Sequence, residues 1–159
     1  MSTERIMMYE EEHAQLIELC ERLNGEAKAC AVLLVERSGQ FIAGHGDVDR
    51  LDTTSLASLA AGSVAATHGL AELIGERAFP SSFHEGEREH LHLSMIADRA
   101  ILVVLFDERT SLGLVRLRLR KFLKELSELF ERMEFGTEDQ KSGVALGESS
   151  DRDIDRLFV

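Results

Sequence analysis

From Ala29 to Val35 the chain reads as an unbroken apolar run of Ala, Cys, Val and Leu. A stretch with no polar alternation has no side to offer water, so it specifies a strand covered on both faces. Glu36-Arg37-Ser38-Gly39 supplies turn residues, and Gln40 to Ala43 returns as a second extended stretch, which makes an antiparallel hairpin. Two more apolar runs, Leu91 to Ala97 and Ala100 to Phe106, flank Asp98-Arg99 and repeat the arrangement. A shorter piece, Phe79 to His84, is a third strand of that group, which Pro80 confines to an edge or to its own start.

Helices must cover such a sheet. Between Met8 and Leu23 the positions Tyr9, Leu16, Ile17, Cys20 and Leu23 recur at three and four among glutamates, and Asn24-Gly25 predicts the stop. Gly44-His45-Gly46-Asp47 predicts a loosened loop. Asp52-Thr53-Thr54-Ser55 offers capping oxygens to a long helix reaching about Ile74, with Gly75 after it. A third helix starts at Thr110, with Leu112, Val115, Leu119, Phe122, Leu126, Leu129, Phe130 and Met133 on its apolar stripe, and Gly136 is expected to close it. The resulting order, α-β-β-α-β-β-β-α, predicts an α+β sandwich: an antiparallel five-stranded sheet with helices packed on it. Residues 1–135 form the expected domain and 136–159 an acidic, flexible tail. Within that tail Ile154, Leu157 and Phe158 stand at helical spacing among aspartates. A short helix over 151–158 then either grips a partner or docks on its own domain.

The formal net charge of -11 argues against a general binder of nucleic acid or of anionic membrane. No apolar run approaches a bilayer span and the N-terminus has no leader pattern, so a cytoplasmic location without membrane insertion is expected. Cys20 and Cys30 fall in a helix and a strand, which suits buried or neutral free thiols.

No signature of chemistry is present: no phosphate loop, dinucleotide fingerprint, nucleophile elbow or zinc-spaced cysteine pair. No enzyme activity, cofactor or metal is therefore expected. His90 and His92 project from one strand face and suit either a metal pair or two exposed strand residues. His45 and His84 could be imagined as an acid-base couple, against the plainer reading of a turn and an edge strand. Arg116, Arg118, Arg120, Lys121 and Lys124 read as a solvated helix face, or less plainly as the source of an arginine delivered to a bound nucleotide.

The second helix carries the most information. On a wheel, Leu56, Leu59, Leu70 and Ile74 make a large apolar face, with Ala57, Ser58, Ala61, Gly62, Ala65, Ala66 and Gly69 making a small one roughly opposite. The large face can lie on the sheet, whereas small residues in such density on the other cannot fill space with side chains; they let another backbone come close. That backbone belongs either to a partner or to the same chain, wedged tightly in a monomer.

Several long runs resemble the MglB-like proteins of the Roadblock/dynein light chain superfamily. They are Met8-Tyr9-Glu10-Glu11-Glu12, the stretch from Asp52 to Leu59, Ala61-Gly62 with Val64-Ala65-Ala66, Phe83-His84-Glu85-Gly86, the stretch from Arg109 to Arg118, and Asp153-Ile154-Asp155-Arg156-Leu157-Phe158. The resemblance covers nearly the whole chain. It implies a homodimer that binds a GTP-loaded, Ras-like small GTPase similar to MglA and stimulates hydrolysis, in cell polarity and gliding motility and through partners at a cell pole. It further implies that the activator supplies no catalytic residue and repositions those of the GTPase. Ala61, Ala65, His68, Gly69 and Glu72 are then the candidate GTPase contacts, and Ile154, Leu157 and Phe158 a second grip. The alternatives are a Roadblock scaffold that binds a GTPase without accelerating it, or a small-ligand sensory domain.

Overall fold

The computed structural model describes the backbone of residues 2–141 and the side chains of residues 10–133. Ile154, Leu157 and Phe158 lie outside the described residues. The chain divides into two compact units, the first ending at Ser127; the sheet and the candidate site belong to that first unit.

The elements follow the predicted order: α1 (Ser2–Ala27), β1 (Ala31–Glu36), β2 (Phe41–Gly46), α2 (Thr53–Leu73), β3 (Ser81–Glu85), β4 (His90–Ile96), β5 (Ala100–Phe106) and α3 (Leu112–Lys141). A single 3-10 turn, Val48–Arg50, bridges β2 and α2. The five strands are antiparallel and lie in the order β2-β1-β5-β4-β3. The two unbroken apolar runs thus pair in the middle, with Ala31 opposite Leu105 and Val35 opposite Ile101. Neither central strand exposes an apolar side chain, as a strand covered on both faces requires. Pro80 stands immediately before β3, an edge strand.

Alternation sends the two sets of side chains to different layers. Ala31, Leu33, Val35, Leu93, Ile101, Val103 and Leu105 pack with Ala57 and Ala60 of α2. Val32, Leu34, Leu102 and Val104 point the other way and are also fully buried. That second layer is closed by the buried stripes of α1 (Leu16, Leu19, Cys20, Leu23) and α3 (Val115, Leu119, Phe122, Leu126). The two helices are tied by Arg22, whose guanidinium donates to Glu125 at 3.2 Å and sits over the Phe122 ring.

Three element ends in particular depart from expectation. The first helix does not stop at Asn24-Gly25 but continues to Ala27. Its end is a left-handed Lys28, with the Ala29 N–H bonded to the Asn24 carbonyl and the Lys28 N–H to the Gly25 carbonyl. Lysine takes the conformation usually left to glycine because these two bonds close the helix. β2 extends through Gly44-His45-Gly46, so the expected loop is strand. An irregularity between Leu34 and Val35 leaves Ile42 without a partner in β1, and its carbonyl accepts from His13 Nε2 of α1 at 2.7 Å. Finally, α3 runs through Gly136 to Lys141, because one helical glycine costs only about 1 kcal/mol.

Candidate functional site

Asp52 builds the start of α2. Its carboxylate accepts the Ser55 N–H at 3.1 Å and the Ser55 hydroxyl at 2.6 Å. Those bonds hold its pKa below the usual aspartate value and satisfy amides that the first helical turn leaves free. From Thr53 to Ala71 the helix contains no Asp, Glu, Lys or Arg, in a chain of which 30% is charged. Gly75, at φ +82, follows the helix end.

The helix does not lie on the sheet by its large apolar face, as the wheel suggested. Its buried residues are Ala57, Ala60 and Ala71, with Leu56, Ala61 and Val64 half-covered beside them. Alanines at the contact bring the helix close to the central strands, so the large side chains find no room beneath it. The β1–β2 turn also comes close to α2, since a Cβ on Gly39 would stand 3.4 Å from Ser58 Cα. Leu59, Leu70, Leu73 and Ile74 are consequently exposed, by 71%, 57%, 84% and 69%. Leu59, Leu70 and Leu73 share their side of the helix with Gly62, Ala65, Ala66 and Gly69, all of them exposed. A Cβ added at Gly62 or Gly69 would meet nothing within 4 Å.

The predicted contact residues are therefore only partly gathered. Ala65, Gly69 and Glu72 stand on the open side, His68 is half-buried, and Ala61 packs at the margin of the core. His68 Nε2 and Glu72 are 3.5 Å apart along the flank. Leu59, Leu70 and Leu73 were not among the predicted residues. The signal that could have found them was the spacing of Ala57, Ala60, Val64 and Ala71, an inward stripe made of small residues. Burying each exposed leucine is worth about 1.5–3 kcal/mol, so this largely apolar side of α2, with Glu72 near its C-terminal end, is a surface suited to being covered.

The other candidates resolve into structure. His45 lies on β2 and His84 on β3, opposite edges of the five-stranded sheet. Four strand spacings, about 19 Å, separate them, and they form no acid-base couple. His92 is not an exposed strand residue: it is 3% exposed, with Nδ1 hydrogen-bonded to Ser94 Oγ at 3.2 Å. Burial, and secondarily the Arg116 charge, lower its pKa. His90 is half-buried; its Nδ1 accepts the Gly86 N–H, and its ring packs on Phe106 and Phe83. Among the described residues no three His, Cys, Asp or Glu are grouped to hold a metal ion, and no helix is long and apolar enough to cross a membrane.

Both cysteines are buried free thiols. Burial pushes Cys20 up to about 12. Cys30 is also raised by burial, although Arg109 donates to its sulfur at 3.2 Å, so neither is a ready nucleophile. Arg109 mainly serves Asp107, holding it at about 2 through its side chain and its backbone N–H. This cluster pins the end of β5 to the start of β1.

Residues 16–106 match the Roadblock/LC7 domain family. The chain belongs to that family. Its Roadblock/LC7 fold superposes on Myxococcus xanthus MglB with a TM-score of 0.74 and 51% identity, over 77% of this chain and 92% of that one. The gliding protein MglB of Thermus thermophilus gives 0.72 and 32%, over 76% and 92%. An MglB structure described as having a tetrameric arrangement gives 0.72 and 31%, over 76% and 91%. Comparison with curated protein sequences gives no match. Among Roadblock/LC7 structures this is therefore an MglB-like chain.

Proposed function

We propose that this chain is a homodimeric, non-enzymatic activator of a Ras-like small GTPase, similar to MglA and recognised in its GTP-bound form, in a bacterial polarity and gliding system. The observation that carries the reading is the open side of α2, where exposed leucines surround Gly62, Ala65 and Gly69 with no charge among them. Likeness to MglB structures, one of them in a tetrameric arrangement, supports self-association. So does β3, an edge strand whose outer side has no neighbouring strand among the described residues.

The mechanism is differential binding. A partner that fits the hydrolytic arrangement of the GTPase better than its resting one shifts the population toward hydrolysis without contributing a reacting group. Small residues at Ala65 and Gly69 let the GTPase backbone come close, with His68 and Glu72 on the flank. The domain ends near residue 135 in this reading. The tail then adds a second grip through Ile154, Leu157 and Phe158, and the complex works in the cytoplasm, drawn to a cell pole by its partners.

Ala65→Arg and Gly69→Arg test the contact, because a long cation on this side blocks close approach while leaving the core untouched. Stimulated GTP turnover by the cognate GTPase should fall to its unstimulated rate, with the melting curve unchanged. Turnover that stays at the wild-type level in both folded variants refutes the contact. Tight binding by the wild-type chain with no acceleration would make it a scaffold.

A further inference from the structure

α3 carries a second surface, on the other side of the sheet from α2. Between Leu112 and Ser127 it holds Arg116, Arg118, Arg120, Lys121 and Lys124 against one acidic residue, Glu125, which Arg22 engages. The buried stripe of Val115, Leu119, Phe122 and Leu126 turns all five cations outward, and all five are exposed. Arg116, Arg120 and Lys124 follow one another at i, i+4, i+8, beside Leu117 and Lys121 in the next row. Like charges at that spacing repel by a few tenths of a kcal/mol per pair. Among the described residues none of the five cations has an ion-pair partner within 4.0 Å. Leu117 stands in their midst, 58% exposed, beside a depression of about 310 Å³ that it lines with Glu26, Arg118 and Lys121.

We propose that this face of α3 docks an acidic, amphipathic segment of a second protein, with carboxylates on the cations and an apolar side chain against Leu117. Arginine forks bind carboxylates in two places at once, which suits a defined protein partner. The alternative of a flat anionic membrane fits less well. The basic face is only about 12 Å long from Arg116 to Lys124, and the chain as a whole carries a net charge of -11. A narrow segment feels the local cations within the screening distance of about 8 Å, whereas a broad sheet of negative charge also meets the acidic remainder. Because α2 lies on the opposite layer, a partner held on α3 leaves the open side of α2 free. The proposal rests on the cations of α3 and on Leu117 among them, so it stands or falls independently of the GTPase reading.

The test uses the full chain and a fluorescently labelled helical peptide of Glu, Ala and Leu, read by anisotropy. A peptide with Gln for every Glu and vesicles of phosphatidylglycerol serve as comparisons. Saturable binding of the acidic peptide is expected. It should weaken at least about tenfold when Arg120→Glu and Lys124→Glu are combined, and also for the milder Leu117→Gln, while Ala65→Arg on α2 leaves it unchanged. Circular dichroism checks that the variants fold. Absence of binding, equal binding by the Gln peptide or by the charge-reversed chain, loss on Ala65→Arg, or preferential binding to the vesicles would each overturn the proposal.

Discussion

A proton on His92 would put a cation into the layer between the sheet and α3, with Arg116 as its charged neighbour. Among the described residues its Nε2 has no hydrogen-bond partner to compensate the charge. The pKa in the folded chain lies below the ordinary 6.5. The unfolded chain therefore takes up a proton first as the pH falls, and stability present above 6.5 is lost on acidification below it. The melting temperature should drop between pH 7.5 and 5.5, and His92→Leu should make that drop smaller. Asp107 acts in a separate window. Its value of about 2 against an ordinary 3.8 gives stability that persists above 3.8 and disappears as the pH falls toward 2. Gly46 illustrates a backbone constraint instead: at φ +96, a Cβ would collide with the Cys30 carbonyl and stand 2.9 Å from Ala31 Cα. Gly46→Ala should cost about 1–3 kcal/mol, read as a lower denaturant midpoint.

At the scale of elements, α2 separates what stability wants from what contact wants. Gly62 and Gly69 lie on its exposed side with open space around them. Alanine at either site should stabilise the helix by up to about 1 kcal/mol, a rise of about 2–4 °C in melting temperature. If their smallness serves a partner's backbone, Gly69→Ala should nonetheless weaken GTPase stimulation while it raises melting, a pairing that a purely structural glycine would not show. The wheel of α2 identified the small residues but misplaced the sheet contact. It treated size as the guide to burial, whereas close helix-to-sheet packing selected Ala57, Ala60 and Ala71 for the inside. The outer face of α3 presents the reverse case: its buried stripe was legible because large apolar residues recur at helical spacing with cations between them.

For the whole molecule, self-association and partner binding are the properties to measure. Light scattering should report twice the chain mass, and Leu59→Asp with Leu73→Asp should reduce the dimer if the open side of α2 contributes to it. Among the described residues the buried apolar side chains fall between Leu16 and Phe130. Residues 142–159 are rich in Gly, Ser and Asp, a composition that repays little of the entropy of ordering, so their removal should leave melting nearly unchanged while weakening the GTPase complex. Element order, the hairpins and the free thiols could be derived from sequence because they follow from local periodicity: apolar runs force covered strands, short turns force antiparallel partners, and capping residues mark helix starts; the pairing of β1 with β5 came from the tertiary structure. Tertiary structure alone settled the rotation of α2, the burial of His92, the separation of His45 from His84 and the length of α1. Each of those depends on which surfaces meet across the sheet, and such distances between remote residues leave no trace in the spacing of neighbours along a chain.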